Sequence, residues 1–344
     1  MKEILIIPVG GTICTSLSSE GTLKIDGKAG SLLVESYLKS DSPYVGDVNF
    51  TLAENLYILS ENMTIEKWNL IIETYRKHSS CKEYDGVILA HGTDSLAYSA
   101  ALFSVLLENT KIPVFFVSSN ERLTSARANG NDNFRCAAEC VARNITPDVY
   151  VPYKNLSSGK MILHRGKTIE QCKNYSEDFY SRDSIDFESL KPEDYRLIKK
   201  EKSKNSVSIC GDWLLKNCVL MIEPYVGIDY DAYDYSKFSA VLHGTYHSGT
   251  ACSEKSLHWE SYGENSVLHM IDMCIEKDVD VYFSPAKLSG EVYETVPTIK
   301  NHRAEEKGVN FLYGDTKEYA YAKLVVAYSI FDDKEKTKNF VDVK

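Results

Sequence analysis

The sequence predicts an α/β protein: an N-terminal domain with a doubly wound, mostly parallel sheet, followed by a second, smaller α/β domain. Three observations support this class. Short apolar runs, typical of strands buried on both faces, recur along the first half of the 344-residue chain. Helix-like segments separate these runs, as parallel strands require. The same alternation resumes in the second half, beyond a charged stretch, and the length favours two domains.

The first domain is expected to span residues 1–190. Continuous apolar runs predict strands at 3–9, 86–90, 112–119 and 148–153, and a further strand is expected to end at Ser60. Between them, helices are predicted at 28–40, 64–77, 95–108 and 131–143. Thr64 is predicted to cap the second of these helices, with Lys67 at the third helical position.

A charged stretch with little apolar periodicity predicts an interdomain linker at 191–210. The second domain is expected to span 211–344. Its apolar runs "CVLMIEPYVG", "FSAVLHG" and "DVDVYFSP" predict strands, and a helix is expected at 263–277. The chain therefore resumes a β-α-β order after the linker.

Composition restricts the class of partner and the cellular compartment. The net charge is −10 with acidic residues spread along the chain, which argues against nucleic acid, since phosphate contacts need clustered Lys and Arg. The apolar runs are too short to cross a membrane. Nine cysteines occur without a Cys-x-x-Cys motif, and no signal peptide precedes the first strand. These features predict a cytoplasmic protein without a metal site.

Small polar residues follow several predicted strands of the first domain. They are Gly10-Gly11-Thr12, Ser60-Glu61-Asn62, Gly92-Thr93-Asp94-Ser95 and Ser118-Ser119-Asn120. Each cluster taken alone is also compatible with a turn or a helix cap. In open parallel sheets, however, ligands bind beyond the carboxyl ends of the strands. The four clusters together therefore predict a site at one edge of one sheet.

These groups suit a small amino-acid amide. Thr12 follows two glycines, so a ligand can approach its backbone closely, and its hydroxyl could act as a nucleophile if a base removed the proton. Thr93 and Asp94 stand at a predicted helix start, where backbone N–H groups stabilise negative charge. Ser60 and Glu61 could hold the two ends of a zwitterion. No metal ligands converge, and no glycine-rich loop has phosphate-binding spacing.

Five segments together resemble the bacterial-type L-asparaginase family. They are "PVGGTI" at 8–13, "ILSENMT" at 58–64, "ILAHGTDS" at 88–95, "VSSNERLTSARANGNDNF" at 117–134 and "DVDVYFSPAKLSGEVYET" at 278–295. The similarity covers nearly the whole chain. "GGTI" alone is a weak signal, whereas "GGTI" and "HGTDS" about 80 residues apart, both at strand ends, form a specific one.

The resemblance implies hydrolysis of the asparagine side-chain amide to aspartate and ammonia through a threonine acyl-enzyme. Thr12 would be the nucleophile, Thr93 would act near the scissile carbonyl, and Asp94 would bind the substrate amine and orient a lysine. The substrate-binding candidates are Gly11, Ser60, Glu61, Gly92 and Ser119. The resemblance also implies no metal or organic cofactor, and a homodimer or homotetramer.

Two departures from the family pattern bear on catalysis. The loop after "GGTI", "CTSLSSEGTLKIDGKAG", lacks the tyrosine that activates the nucleophile in the family, although its glycines and serines suggest a flexible lid. The position of the catalytic lysine aligns with Glu170, between Lys167 and Lys173. Glu170 is therefore the fourth catalytic candidate, and either lysine could serve if the local structure shifts.

Two other functions stay open. A non-catalytic protein that binds or senses asparagine or aspartate would account for the missing tyrosine and lysine. A glutaminase subunit that feeds ammonia to an amidotransferase is the other; such relatives carry an additional N-terminal domain, whereas the first predicted strand here begins at residue 3, so the hydrolase is favoured. Asparagine and glutamine differ by one methylene, about 1–3 kcal/mol of discrimination, so the preferred amide is not predicted.

Overall fold

The computed structural model describes residues 1–18, 20–191, 193–196, 198, 206–255, 262–287 and 290–341. The chain divides into two compact units, Met1–Asp212 and Trp213–Lys344. Within the described residues, no helix is both long and apolar enough to span a membrane. Each unit contains its own sheet.

The first unit contains a sheet to which seven of the described strands contribute, in the order β11-β8-β7-β6-β5-β1-β4. The strands from β4 across to β7 are parallel, whereas β8 and β11 run antiparallel to their neighbours. These strands are β1 (Lys2–Pro8), β4 (Val48–Leu52), β5 (Gly86–Ala90), β6 (Val114–Val117), β7 (Val149–Lys154), β8 (Met161–Arg165) and β11 (Ile185–Asp186).

Helices and two small hairpins complete this unit. The helices are α1 (Ala29–Leu38), α2 (Ile65–Cys81), α3 (Leu96–Leu106) and α4 (Gly130–Ala142). The hairpins pair β2 (Thr15–Leu17) with β3 (Leu23–Ile25), and β9 (Ile169–Glu170) with β10 (Tyr180–Ser181). The first hairpin occupies the loop predicted to be a lid, of which Ser19 lies outside the described residues.

Burial explains why these segments fold as they do. Every residue of β5 is buried, as expected for a strand covered on both faces. The helix α3 is rich in alanine and serine, and ten of its residues are buried. Small side chains let such a helix approach the sheet closely. The N-cap prediction for α2 is confirmed, since the Thr64 hydroxyl accepts a hydrogen bond from the backbone N–H of Lys67 at 3.3 Å.

The prediction of a strand that ends at Ser60 is wrong. The strand in that region is β4, which ends at Leu52, and Ser60 lies in a 3-10 turn, Ser60–Asn62. An isolated parallel bridge joins Ile58 to Gly10, and the Ile58 N–H donates to the Val9 carbonyl at 2.9 Å. The backbone of Tyr57 has a φ of 55°, a left-handed conformation that interrupts an extended strand. The turn nevertheless lies beside the end of β1.

The second unit contains a parallel sheet in the order β12-β13-β14-β15. Its strands are β12 (Val219–Ile222), β13 (Ala240–His243), β14 (Asp280–Ala286) and β15 (Asn310–Tyr313). Its helices are α5 (Val267–Glu276), α6 (Thr295–Asn301), α7 (Lys317–Ile330) and α8 (Lys334–Val341). The two sheets confirm the predicted fold class.

Part of the predicted linker 191–210 packs on the first unit. Tyr195 is fully buried and lies edge-on to Phe187, with ring centroids 6.2 Å apart. The guanidinium of Arg143 lies 4.9 Å from the centre of the Tyr195 ring. Residues 192, 197 and 199–205 of the predicted linker lie outside the described residues. The proposed domain limits 1–190 and 211–344 stay a prediction.

Candidate active site

The carboxyl ends of β1 and β5 meet at two glycines. A Cβ atom on Gly11 would lie 2.1 Å from the Cα of Gly92, so the two backbones are in direct contact. Gly11 also has a φ of 75°, which an L side chain rarely adopts. The backbone N–H groups of Val9 and Gly10 both donate to the carbonyl of Ala90. The segments that carry Thr12 and Thr93 therefore begin side by side.

Thr12 begins a 3-10 turn, Thr12–Cys14, directly after this contact. Its side chain is partly exposed, and its carbonyl accepts a hydrogen bond of 2.8 Å from the Thr15 hydroxyl. The Cys14 N–H donates to the Gly11 carbonyl at 2.9 Å. This turn leads into the β2–β3 hairpin, so the predicted nucleophile stands between a rigid glycine contact and the hairpin.

Ser60 joins the turn before α2 to the segment that carries Asp94. Its hydroxyl donates to the Asp94 carboxylate at 3.2 Å and accepts from the Asp94 N–H at 3.3 Å. The Ser95 hydroxyl donates to the Ser60 carbonyl at 2.8 Å. A Cβ on Gly92 would lie 2.4 Å from the Ser60 hydroxyl oxygen, so this packing requires glycine. Glu61 follows on the same turn with an exposed side chain.

Ser119, predicted to line the substrate pocket, is fully buried. Its hydroxyl donates to the Glu121 carbonyl at 2.5 Å and accepts from the backbone N–H of Gly130 at 3.1 Å. These bonds close the loop between β6 and α4, and they satisfy one of the free N–H groups at the start of that helix. The structure therefore gives Ser119 a role in loop geometry.

Glu170 and its neighbour Gln171 differ in where the structure places them. Glu170 pairs with Tyr180 in the β9–β10 hairpin, and it is exposed. Gln171 points to the start of α3, where its side-chain amide donates to the Thr93 carbonyl at 2.7 Å. The residue beside Thr93 is thus an amide, one position beyond the glutamate that aligns with the family lysine. The alignment of the family lysine with Glu170 indicates this part of the chain. It does not indicate the two-residue strand β9 or its register with β10.

A cavity of about 500 Å³ opens beside Thr93 and Asp94. One wall is the segment after β9, and the other includes the two predicted site residues. Its lining residues are Thr93, Asp94, Tyr153, Gln171, Cys172, Lys173, Asn174, Tyr175, Ser176 and Glu177. Thr12 and Glu170 are not among these residues. The apolar pattern of the sequence does not indicate the 171–177 segment, because the strand before it, β9, has only two residues.

The charges around Asp94 differ from those that the family pattern implies. Among the described residues, no ion pair joins the Asp94 carboxylate to a lysine or arginine within 4.0 Å; Lys167 instead lies 3.9 Å from Glu108. Lys173 lines the same cavity as Asp94. In the part of the chain that the structure describes, no group of three or more His, Cys, Asp or Glu side chains could hold a metal ion.

His91, which precedes Gly92, is a buried residue of the site that the sequence pattern does not indicate. Its side chain is fully buried, and burial lowers its pKa to about 4. The imidazole is therefore neutral near pH 7, with its Nδ1 2.8 Å from the Gly92 carbonyl oxygen. Nδ1–H donates to this carbonyl and so stabilises the backbone at the strand end.

Comparison with known proteins places this chain in a family. A family model described as "Asparaginase, N-terminal" matches residues 3–199, more than half of the chain. The chain belongs to the asparaginase family. The predicted membership in this family of amidohydrolases is therefore confirmed.

Individual relatives include two kinds of enzyme. The chain is 27% identical over 292 residues to a glutamyl-tRNA(Gln) amidotransferase subunit of Archaeoglobus fulgidus, covering 80% of this chain and 66% of that protein. It is 30% identical over 157 residues to L-asparaginase 1 of Escherichia coli, covering 45% of this chain and 44% of that protein. The chain thus spans less than two thirds of the length of both relatives.

Solved structures share the fold along the whole chain. The thermostable L-asparaginase of Thermococcus kodakarensis superposes with a TM-score of 0.72 at 21% identity, covering 99% of this chain and 97% of that one. L-asparaginase I of Vibrio cholerae gives a TM-score of 0.69 at 21% identity, covering 100% and 97%. At this level of identity the likeness establishes the fold of the asparaginase family and leaves the reaction to be argued from the site.

Proposed function

We propose that this protein hydrolyses the side-chain amide of a small amino acid, with asparagine as the first candidate substrate. The observation that carries the proposal is the backbone contact between Gly11 and Gly92. It holds Thr12 and the Thr93–Asp94 pair at the ends of two adjacent parallel strands. A reacting amide that lies over this contact would reach both segments, and ligands of open parallel sheets bind at such strand ends.

The proposed reaction has two steps. The Thr12 hydroxyl attacks the amide carbon, the C–N bond breaks, and the nitrogen leaves as ammonia after it takes up a proton. Water then attacks the resulting ester, which releases aspartate and restores the Thr12 hydroxyl. The positive end of the α3 helix dipole would stabilise the negative oxygen in both steps. Ser60 and Asp94 would hold the amino-acid end of the substrate.

A test is ammonia release from a panel of amides that includes asparagine and glutamine. We expect turnover by the natural chain and a loss of at least about 1,000-fold in kcat for Thr12→Ala, since the nucleophile is removed. Thr110→Ala is the matched control. The Thr110 hydroxyl donates a hydrogen bond to the Ile112 carbonyl just before β6, at the amino end of that strand and away from the proposed site. Full activity of Thr12→Ala, or no ammonia from any amide, would refute the proposal.

The similarity to the archaeal amidotransferase protein supports a second candidate, a glutaminase. The same panel separates the two, because a glutaminase would prefer glutamine by kcat/KM. A component of an amidotransferase would also release ammonia faster when its partner enzyme is present. A rate on glutamine that exceeds the rate on asparagine would favour this candidate.

A third candidate, an amino-acid binding protein without turnover, is supported by the surroundings of Asp94. No cation of the described residues pairs with its carboxylate, and an amide group lies beside Thr93. Calorimetry with asparagine and aspartate provides the discriminating measurement. Binding of either amino acid without ammonia release would favour this candidate over the hydrolase.

We further propose that the protein is a homodimer or homotetramer in the cytoplasm. All nine cysteines are free thiols, which suits a reducing compartment. Light scattering coupled to gel filtration measures the assembly, and a monomer at micromolar concentration would contradict it.

A further inference from the structure

The side-chain amide of Gln171 forms two hydrogen bonds to the start of α3. Its Nε2 donates to the Thr93 carbonyl at 2.7 Å, and its Oε1 accepts from the Ala97 N–H at 3.3 Å. Thr93 precedes the helix, and Ala97 is its second residue. The Gln171 side chain, which directly follows strand β9, thus spans the first turn of α3.

This turn lacks the usual cap. The N-cap residue of α3 is Ser95, and its side chain makes no capping hydrogen bond within the helix. The Ser95 hydroxyl donates instead to the Ser60 carbonyl at 2.8 Å. The first N–H groups of a helix have no partner inside it and must find one elsewhere. The carbonyl oxygen of Gln171 supplies that partner for Ala97.

Only a side chain that donates and accepts at the same time satisfies both contacts. An amide does so through its NH₂ and its oxygen. A lysine has three donors and no acceptor, so it would leave the Ala97 N–H without a partner. An ionised glutamate has acceptors only, and it would face the Thr93 carbonyl with a second negative oxygen. The local geometry therefore selects an uncharged amide at this position.

Gln171 also begins the segment that forms one wall of the cavity. The next residue, Cys172, donates a hydrogen bond of 3.1 Å from its Sγ to the Asp178 carbonyl, and this bond ties the two ends of the segment together. The residues between Cys172 and Asp178, which are Lys173 to Glu177, line the same cavity as Asp94. A displacement of the Gln171 amide would therefore move the cavity wall and the Thr93–Asp94 turn apart.

We propose that Gln171 is a positioning residue that fixes the Thr93–Asp94 turn against the cavity wall formed by residues 172–177. Its effect on turnover rests on the function proposed above, whereas its effect on the helix start does not. Two readouts separate these claims: hydrogen exchange at Ala97 and the pH dependence of ammonia release.

Hydrogen exchange tests the contact without any substrate. In Gln171→Leu the Ala97 N–H loses its acceptor, and we expect it to exchange at least about tenfold faster, while amides in the last turn of α3 and in α4 keep their natural rates. Tyr180→Phe is the control, because Tyr180 lies on the same hairpin and is exposed. Unchanged exchange at Ala97 in Gln171→Leu would overturn the proposal, whatever the protein catalyses.

The pH profile then tests the consequence for turnover. Gln171→Glu has the natural shape, and its protonated carboxyl regains one donor and one acceptor. Only the protonated carboxyl can donate to the Thr93 carbonyl, so its pKa should rise above the ordinary value of about 4.3. We expect kcat/KM about tenfold below the natural chain at pH 8, with recovery toward the natural value as pH falls from 6 to 4.5, and no recovery for Gln171→Leu. Asp94, Lys173 and Glu177 line the same cavity, so the profile of Gln171→Glu is compared with those of both the natural chain and Gln171→Leu.

The outcomes distinguish two failures. If the natural chain releases no ammonia, the proposed function is refuted. Hydrogen exchange at the Ala97 N–H then still tests whether Gln171 fixes the start of α3. If the natural chain is active and Gln171→Leu keeps its full kcat/KM, the positioning role in turnover is refuted and the hydrolase stands. A constant activity ratio of Gln171→Glu to the natural chain from pH 8 to 4.5 would also overturn the positioning role.

Discussion

The hydroxyl of Ser60 and the carboxylate of Asp94 lie 3.2 Å apart, although 34 residues separate them in the chain. The same hydroxyl accepts from the Asp94 backbone N–H at 3.3 Å. Ser60 therefore orients both the side chain and the backbone of the group proposed to hold the substrate amine. Since Asp94 is exposed, solvent weakens this pair, and its contribution is modest.

Replacing Ser60 by Ala tests this contact. We expect kcat/KM for the preferred amide to fall about fivefold, close to 1 kcal/mol, mainly through a higher KM, because the carboxylate loses its fixed orientation. Ser80→Ala is the control, since Ser80 lies exposed at the end of α2, where its hydroxyl donates to the Lys77 carbonyl at 2.9 Å. Steady-state ammonia release measures both variants. An unchanged KM in Ser60→Ala would contradict the assigned role.

Gly11→Ala tests the backbone contact at the strand ends. The added Cβ would lie 2.1 Å from the Cα of Gly92, and the backbone has a φ of 75°. We expect the free energy of unfolding to fall by about 3 kcal/mol or more, from steric overlap together with left-handed strain. Urea titration measures this change.

Gly21→Ala separates strain from overlap. Gly21 has a φ of 77°, but nothing lies within 4 Å of a Cβ at that position. We expect a loss of only about 1 kcal/mol from backbone strain. Equal losses for the two variants would show that the close contact of Gly11 with Gly92 carries no additional cost.

Thr64→Ala removes the N-cap of α2. The Thr64 hydroxyl accepts from the Lys67 N–H, and without it the free energy of unfolding should fall by about 1 kcal/mol. Thr64→Ser keeps the oxygen and should be close to the natural chain. Tryptophan fluorescence, to which Trp68 contributes from a buried position on the same helix, reports the transition. A loss in Thr64→Ser equal to that in Thr64→Ala would rule out the cap as the cause.

Buried histidines predict lower stability in mild acid. Burial lowers the pKa of His91, His164 and His243 to about 4, below the ordinary value of 6.5. Between pH 6.5 and pH 4 these histidines are protonated in the unfolded chain but stay neutral in the folded chain. Stability should therefore be level from about pH 7 to 8 and fall as pH drops from 6.5 to 4, by at most about 3 kcal/mol for each histidine.

Histidine variants in the first unit test this origin. In His91→Gln the slope of unfolding free energy against pH should decrease, and in the double variant with His164→Asn it should decrease further. Urea titrations at pH 7, 6, 5 and 4.5 give the slopes. Exposed carboxylates of lowered pKa, such as Glu54, contribute only at still lower pH. Slopes that stay equal to that of the natural chain would assign the acid sensitivity to other groups.

The parts of the fold that follow from continuous apolar runs are predictable from the sequence. Strands β1, β5 and β7 and helices α2 and α4 all lie within a few residues of their predicted positions. Strand β4 was not predicted, because "VNFTL" is short and only one of its residues is buried. The hairpins were also missed, since two- and three-residue strands leave no periodic signal.

The candidate site was predictable where it depends on chain order alone. Glycines followed by threonine at the ends of β1 and β5 indicated adjacent polar segments, and the structure places Gly11 against Gly92. The cavity wall at 171–177 was not predictable, because it depends on the register of β9 with β10. A one-residue difference there exposes Glu170 and turns Gln171 toward Thr93. Local composition carries no information about such a register.

The spacing between the two halves of the site is set by main-chain atoms that touch, without any side chain between them. Residues around the cleft can therefore diverge, and substrate range with them, while the separation of the two segments stays constant. The same arrangement concentrates the risk of inactivation: a single methyl group added at Gly11 would meet main-chain atoms of Gly92, and no exchange of surrounding side chains would make room for it.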